Sequence, residues 1–304
     1  MKDNNTDNVI AVNTLWAAED LRYFKGSPEL FLYSVHDHYI NFTVKNHDRL
    51  LMIADPQVIP GPSTIAVDER TFNLLVKTAN SYKNGFLEDD QVILEFDQVI
   101  IIISRRSGNY KSFASVCFTK IYFDVIKLTA GYYRSYIEKR VNEFQVSPAM
   151  VLLDLPGGEA YFREAIARYY PKLIKALLEN NDRAFISAAS ELVGLGRGFS
   201  PSGDDLIYSS LLAHNCFSRD LDIINLIKNN LGLLLKQTNA MGRHMIVSGT
   251  MGLAGENVRG YIYSFEEGPA TDDLIEKVLL IGSTSGLEIA IGIIYYVNIL
   301  SELY

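Results

Sequence analysis

The chain has 304 residues, 48% hydrophobic and 21% charged, so it is long and apolar enough for two domains or one large one. Its formal net charge of −8, without a run of lysine and arginine, argues against a nucleic-acid partner. The first residues are polar and acidic, and no apolar run reaches the ~20 residues that span a bilayer. We therefore expect a cytoplasmic protein with no membrane partner.

The first 132 residues predict a mostly antiparallel β domain. Short runs rich in β-branched and aromatic residues alternate there with polar turns, which is typical of strands. The predicted strands cover residues 30–35, 39–44, 50–53, 64–67, 92–96 and 99–103. A short helix is predicted over residues 72–81, and residues 112–128 are interpreted as a strand followed by a helix.

The histidines of this domain and the two cysteines of the chain indicate no ligand set. His36 and His38 have the two-residue spacing of metal ligands on a strand, with His47 nearby. No third ligand converges on them in the sequence, so a solvated loop is the preferred interpretation. Cys117 and Cys216 lie far apart among apolar neighbours, and we expect both to be reduced thiols in the core.

Residues 133–304 predict a mainly helical domain, because apolar residues recur there at spacings near 3.6. The predicted helices cover residues 136–144, 161–178, 183–192, 201–216, 221–235, 240–253 and 287–303. The chain is therefore predicted to have an α+β fold, in which a β-rich domain (1–132) precedes a helical domain (133–304).

The sequence Gly-Leu-Gly-Arg-Gly-Phe-Ser-Pro-Ser-Gly-Asp-Asp at residues 194–205 is dense in glycine, so its backbone bends sharply or lies close to a ligand. Ser200 is predicted to be the N-cap of a helix, with Pro201 as its first residue. The free backbone N–H groups of this helix start would face an anion or a carbonyl oxygen. They belong to Ser202, Gly203 and Asp204. A capped helix after a glycine-rich turn is the structural alternative.

Two neighbouring carboxylates, Asp204 and Asp205, limit the ligands that suit this helix start. They would repel a bare phosphate unless Mg²⁺ or Arg197 offsets their charge. A ligand whose carbonyl oxygen faces the N–H groups and whose NH₂ group faces a carboxylate fits without a metal. Because successive helical residues point about 100° apart, we expect one of the two carboxylates to face the site.

A second junction of small residues, Gly-Ser-Thr-Ser-Gly-Leu-Glu at 282–288, opens the last predicted helix. Ser285 and Glu288 match a capping box, which is the structural interpretation. Three hydroxyl groups at one helix start favour a functional interpretation instead. They belong to Ser283, Thr284 and Ser285. If the two junctions face each other, they form a cleft lined by helix N-termini, small side chains and carboxylates.

The segment 238–244, between the two junctions, supplies further candidates. Arg243 and His244 are basic side chains suited to neutralise an anion or transfer a proton, and Thr238 is a candidate ligand-binding hydroxyl. For a single histidine within a helix, exposure to solvent or a hydrogen bond in the core is the alternative. The same alternative applies to His214.

Residues 194–205 resemble the signature Gly-x-Gly-x-Gly-Leu-Thr-Pro-Ser-Gly-Asp-Asp of a bacterial family long labelled as a domain of unknown function. That family includes the subunit of oxamate carbamoyltransferase encoded with the allantoin-degradation genes, and residues 282–288 are similar to its second signature. The chain departs from these signatures at residues 199–200, where Leu-Thr is usual. It departs again at Ser283 and Glu288, where histidine and aspartate are expected. If that histidine transfers protons, the serine implies a changed activity or substrate.

The resemblance implies a subunit of a three-component enzyme of purine catabolism, which moves a carbamoyl group between oxalurate and phosphate to give oxamate and carbamoyl phosphate. Its expected partners are the other transferase subunits and a small anionic substrate, and no cofactor is expected. The candidate catalytic residues are Asp204, Asp205 and His244. The candidate substrate-binding residues are Gly196, Arg197, Gly198, Ser200, Ser202, Gly203, Thr238, Arg243, Ser283, Thr284 and Ser285.

Two other functions remain open. The junctions could belong to a non-catalytic protein that binds a small anion or serves as a scaffold. They could also hold Mg²⁺ on Asp204 and Asp205 in a phosphotransferase, although the glycine run lacks the Gly-Lys-Ser/Thr ending of a P-loop.

Overall fold

The structure is a computed structural model that describes residues 8–88, 90–105, 109–114, 118, 121–218, 222–269 and 271–303. The chain divides into two units, Met1–Phe113 and Ala114–Tyr304. The first unit is strand-rich and the second is helical, so the predicted α+β fold is confirmed. The predicted domain boundary, between residues 132 and 133, falls inside the helix Phe123–Lys139.

Within the described residues, the first unit forms one sheet. Its strands are β1 (Asn8–Asn13), β2 (Trp16–Ala18), β3 (Glu29–Val35), β4 (Tyr39–Val44), β5 (Leu50–Ala54), β6 (Thr64–Ala66), β7 (Tyr82–Leu87), β8 (Gln91–Phe96), β9 (Val99–Ser104) and β10 (Asn109–Lys111). Their order across the sheet is β1-β9-β8-β7-β3-β4-β5-β6-β2-β10. The pairs β1–β9, β5–β6 and β2–β10 are parallel, and the other neighbouring strands are antiparallel. The sheet is therefore mostly antiparallel, as the sequence predicts.

Alternating side chains of this sheet form the core of the first unit. In β9, every second residue is buried and the residues between are half-exposed. In the neighbouring strand β8, Val92 is buried and lies opposite buried Ile103. Because the side chains of a strand alternate between its two faces, this register places the buried apolar side chains of β8 and β9 on the same face of the sheet.

The helix α1 (Glu69–Thr78) of the first unit begins earlier than the predicted residues 72–81. Asp68 is its N-cap, and its carboxylate accepts a hydrogen bond from the Thr71 backbone N–H at 3.0 Å. This cap satisfies one of the free donors of the first turn, which fixes where the helix starts.

The second unit is built from helices. Those of its described residues are α2 (Phe123–Lys139), α3 (Ala160–Leu178), α4 (Asp182–Ala189), α5 (Ser202–Phe217), α6 (Asp222–Leu234), α7 (Ala240–Thr250), α8 (Glu256–Glu267), α9 (Asp272–Leu279) and α10 (Ser285–Leu303). A 3₁₀ helix, Pro148–Leu153, precedes α3. Most of these match the predicted helices within a few residues, whereas α8 and α9 were not predicted.

Helices α5 and α10 form the centre of the second unit. Nearly every residue of α5 is buried, and α10 packs against α5, α2 and α9. By length and composition, α10 is apolar enough to cross a membrane, but 67% of its apolar window is buried inside the protein. Contacts with neighbouring helices therefore account for its apolar surface.

Candidate functional site

A cavity of about 550 Å³ in the second unit lies between the two loop-to-helix junctions. We call residues 194–205 the first junction, residues 282–288 the second junction, and the space between them the junction cavity. The first junction contributes Arg197, Gly198 and Ser202 to the lining, and the second contributes Ser283, Thr284 and Glu288. The remaining lining residues are Val146, Pro148, Gly158, Glu159 and Phe162. The fold thus brings together two motifs that are far apart in the sequence.

Helices α5 and α10 run side by side in the same direction. Asp205 near the start of α5 contacts Glu288 near the start of α10, and His214 further along contacts Tyr296 at 2.9 Å between Nδ1 and the phenol oxygen. Because residues later in α5 contact residues later in α10, the two helices are parallel and both N-termini lie at the same end. Each carries the partial positive charge of a helix dipole, so the two helix starts together favour an anionic or carbonyl group in the junction cavity.

The two junctions have the same local structure. The second residue of each helix is a glycine whose N–H donates to a preceding loop carbonyl, Gly203 to Leu195 at 2.8 Å and Gly286 to Ile281 at 2.9 Å. A Cβ atom on either glycine would lie 1.9 Å from a backbone carbonyl oxygen, which no side chain can accept. In both helices a serine precedes this glycine and a carboxylic acid follows two residues after it.

Asp205 and Glu288, which hold equivalent positions in α5 and α10, form a buried pair of carboxyl groups, each 0% exposed. The Ser200 hydroxyl donates to Asp205 Oδ1 at 2.6 Å, and the Ser147 hydroxyl donates to Glu288 Oε1 at 2.8 Å. The other oxygens, Asp205 Oδ2 and Glu288 Oε2, have no hydrogen-bond partner among the described residues. Burial, and then the nearby charge of Glu288, raise the pKa of Asp205 well above its ordinary value.

Asp204 points away from this pair. Its Oδ1 accepts from the Gly194 backbone N–H at 2.9 Å, and its Oδ2 accepts from the Thr238 hydroxyl. Burial raises the pKa of Asp204, and the two hydrogen bonds oppose that effect. Gly242 is required opposite this carboxylate, because its Cβ would lie 2.0 Å from Asp204 Oδ2. Asp204 thus ties the first junction to the start of α7.

The predicted site residues of α7 do not line the junction cavity. Arg243 Nη1 donates to the Thr238 carbonyl at 2.9 Å, and Thr238 contacts Asp204. His244 is buried within α7. Of the predicted residues, those at the cavity are Arg197, Gly198, Ser202, Ser283 and Thr284. Neither Asp204 nor Asp205, one of which was expected to face the site, lines the cavity: Asp205 turns toward Glu288, and Asp204 turns toward Gly194 and Thr238.

The structure corrects the predicted cap of α5. Pro201 is the N-cap, and the Ser200 hydroxyl binds the Asp205 side chain instead of a backbone N–H. Two of the three N–H groups expected to be free are occupied, since Gly203 and Asp204 donate to backbone carbonyls. The Ser202 N–H has no hydrogen-bond partner within the described part of the chain.

The predicted capping box of α10 is also wrong. The Glu288 backbone N–H donates to the Thr284 carbonyl at 3.0 Å, so Ser285 is already the first helical residue. The Glu288 carboxyl group accepts from Ser147, and the Ser285 hydroxyl interacts with Asp205. The two residues that match a capping box in the sequence therefore make tertiary contacts, Glu288 with Ser147 and Ser285 with Asp205.

Arg197 is a cation at the edge of the junction cavity. Its side chain is 80% exposed and forms an ion pair with Glu159, at 2.9 Å between Nε and Oε1. Such an exposed pair contributes only about 0–1 kcal/mol to stability, so the guanidinium group can exchange this partner for an anionic ligand. Glu159, Ser147 and Phe162 were not predicted as site residues, although the Pro-Gly-Gly break at 156–158 marks the turn that places them.

The histidines and the described cysteine have structural partners. His38 Nδ1 lies 2.7 Å from Asp55 Oδ2, and this hydrogen bond raises the pKa of His38. His214 is buried and contacts Tyr296. Cys216 is a buried thiol that forms no disulfide among the described residues, and Cys117 lies outside them. The described residues contain no group of three or more His, Cys, Asp or Glu side chains that could hold a metal ion.

Residues 192–297 match the model of a family described as oxamate carbamoyltransferase subunit AllH. The matched segment contains both junctions, so the family resemblance predicted from their motifs is confirmed. No curated protein and no solved structure matches the chain.

Proposed function

Because residues 192–297 belong to the family of oxamate carbamoyltransferase subunit AllH, we propose that this chain is a subunit of a carbamoyltransferase-type enzyme. Its reaction is the transfer of a carbamoyl group between oxalurate and phosphate, with oxamate and carbamoyl phosphate as the products. The observation that supports this proposal best is that both family motifs line one cavity.

The lining of the junction cavity suits a small ureido or amide anion. Arg197 and the two helix N-termini attract a carboxylate or phosphate group. Glu288 Oε2, which has no partner among the described residues, accepts from an NH₂ or NH group. A volume of about 550 Å³ lies within the usual range of small-molecule sites and exceeds what oxalurate alone requires, so a second reactant has room.

Carbamoyl transfer requires donors near a carbonyl oxygen that gains negative charge and a fixed orientation of the two reactants. The Ser202 N–H and the hydroxyl groups of Ser283 and Thr284 are the proposed donors. Neither requirement calls for a covalent nucleophile, and Cys216 is buried in the core away from the cavity lining. The proposed reaction uses no cofactor.

The family name refers to a subunit, and we therefore propose that activity requires the other transferase subunits. We place the protein in the cytoplasm, in the degradation of allantoin and other products of purine catabolism.

Calorimetric titration of the purified chain tests this function, with and without the co-expressed partner subunits. The ligands are oxalurate, oxamate, carbamoyl phosphate and phosphate, and urea is the neutral control. We expect heat from oxalurate or oxamate but not from urea, and turnover only when the partner subunits are present. Binding without turnover in the complete assembly would favour the non-catalytic anion-binding protein. No heat with any anion, in either setting, would contradict the proposal.

A further inference from the structure

Glu288 is the buried acid that the junction cavity offers to a ligand. It lines the cavity, its side chain is 0% exposed, and its Oε2 has no hydrogen-bond partner among the described residues. The other ionisable side chains of the described lining are Arg197 and Glu159, which are exposed and paired with each other. A buried polar atom without a partner is costly unless something binds it, so Oε2 requires either a proton or a ligand.

The hydrogen bonds around Asp205 and Glu288 fit a pair that holds one proton. The hydroxyls of Ser200 and Ser147 each bind one oxygen of the pair, and the Ser285 hydroxyl also interacts with Asp205. The oxygens Oδ2 and Oε2 have no hydrogen-bond partner among the described residues. One proton between them makes one oxygen a donor and the other an acceptor. Two buried anions would repel each other, whereas two protonated acids would leave an acid hydrogen without an acceptor. The raised pKa of Asp205 agrees with this count.

The charged groups around the pair do not offset its negative charge. Arg197 faces the cavity but is bound to Glu159. On α5, Tyr208 interacts with Asp205, and burial raises the pKa of Tyr208 so that its phenol stays neutral. Asp204 turns toward Thr238. The proton is therefore the charge that balances the pair.

We propose that Asp205 and Glu288 share one proton, and that Glu288 exchanges this proton with the nitrogen of the ligand while Asp205 positions it. This inference rests on the proposed carbamoyl transfer. A phosphate oxygen forms a bond to the carbamoyl carbon of oxalurate, and the bond between that carbon and the amide nitrogen breaks. The nitrogen takes the proton of Glu288 and leaves as oxamate, and the proton of hydrogen phosphate returns to the pair. Charge and proton number are the same before and after.

Two variants of the complete assembly test the exchange. Glu288→Gln keeps a hydrogen-bond donor beside Asp205 but has no transferable proton. We expect it to bind oxamate as the wild type does and to lose about 10²–10⁴-fold in kcat, the usual contribution of a general acid or base. In the wild type, kcat falls as the pH rises, because a fully ionised pair has no proton to donate. Asp205→Asn removes the carboxyl group that shares the proton, so we expect kcat to fall while oxamate binding is kept, because Asp205 does not line the cavity.

Infrared spectroscopy of the purified chain tests the shared proton without any substrate. We expect a protonated carboxyl band in the wild type at neutral pH that is weakened or lost in both variants. Absence of this band, or full turnover by Glu288→Gln, would overturn the inference even if oxalurate binds. If the protein shows the protonated carboxyl band but binds none of the four anions, the proposed function and the proton exchange with the ligand are contradicted. The shared proton between Asp205 and Glu288 is then still supported. If Glu288→Gln does not fold, the wild-type band and Asp205→Asn still decide the question.

Discussion

At the residue scale, we propose that Arg197 and Glu288 bind opposite ends of one ligand. Arg197 is an exposed cation in a weak ion pair, and Glu288 is a buried acid whose Oε2 has no hydrogen-bond partner in the part of the chain that the structure describes. An anion with an N–H group at its other end satisfies both side chains at once. This pairing explains why the junction cavity suits a carbamoyl-bearing anion better than a bare phosphate.

Replacing Arg197 by alanine should weaken oxamate binding about ten- to a hundredfold, the range expected for a lost hydrogen bond between charged groups. The melting temperature should stay close to that of the wild type, because the ion pair with Glu159 is exposed. Calorimetry gives the affinity, and thermal unfolding gives the melting temperature. Arg183→Ala, an exposed arginine of α4 outside the cavity lining, is the matched control. Equal affinities for Arg197→Ala and this control would show that Arg197 does not bind the ligand.

Ser200 and Glu288 show which parts of the site a sequence predicts. Ser200 was predicted to be a helix cap, and Glu288 was assigned to a capping box with Ser285 in the structural interpretation, because a capping pattern depends on local spacing alone. In the structure the Ser200 hydroxyl binds the Asp205 side chain of α5, and Glu288 of α10 contacts Asp205 and Ser147. The repeated order Ser-Gly-x-acid at residues 202–205 and 285–288 was visible in the sequence and would have indicated their equivalence. The role of Ser147 has no such signal, because it depends on tertiary packing.

At the scale of elements, the site consists of the same helix start used twice. Gly203 and Gly286 let the first turn of each helix pack directly on a backbone carbonyl. Further along, Gly292 of α10 packs against Ser209 of α5, which holds the equivalent position in its own helix. The contact between Gly292 and Ser209 lets α5 and α10 approach closely, and the Asp205–Glu288 contact lies nearer the start of the same two helices.

Gly286→Ala should lower the free energy of unfolding by about 1–3 kcal/mol, the usual cost of overpacking. Its new Cβ would lie 1.9 Å from the Val278 carbonyl oxygen, which is backbone and moves only with the chain. Gly203→Ala should behave alike, because its Cβ meets the Leu192 carbonyl oxygen at the same distance. Denaturant titration measures the change.

Gly232→Ala in α6 is the control for these substitutions, because no atom lies within 4 Å of its new Cβ. It should stabilise the protein by about 0.5–1 kcal/mol, since alanine favours a helix over glycine. Equal stability of Gly286→Ala and Gly232→Ala would show that the first turn of α10 does not pack closely against the Val278 carbonyl.

At the scale of the whole molecule, the proposed site lies in the second unit. The family match and the residues of the junction cavity all lie between positions 146 and 297. The fold class was predictable because strand and helix periodicities occupy different halves of the sequence. The helices α8 and α9 were not predicted, although each has an acidic residue in its first turn and buried apolar residues at helical spacing. The convergence of the two junctions was proposed from their similar design, and only the fold brings them together.

Nuclear magnetic resonance of the isotope-labelled assembly tests whether both junctions bind one ligand. On addition of oxalurate, we expect the amide signals of residues 197–203 and 283–288 to shift together, with one common dissociation constant. The signals of the groove between β1 and α1, which includes Ile10 and Lys77, should stay unchanged. Shifts at one junction alone, or in that groove instead, would contradict a shared site.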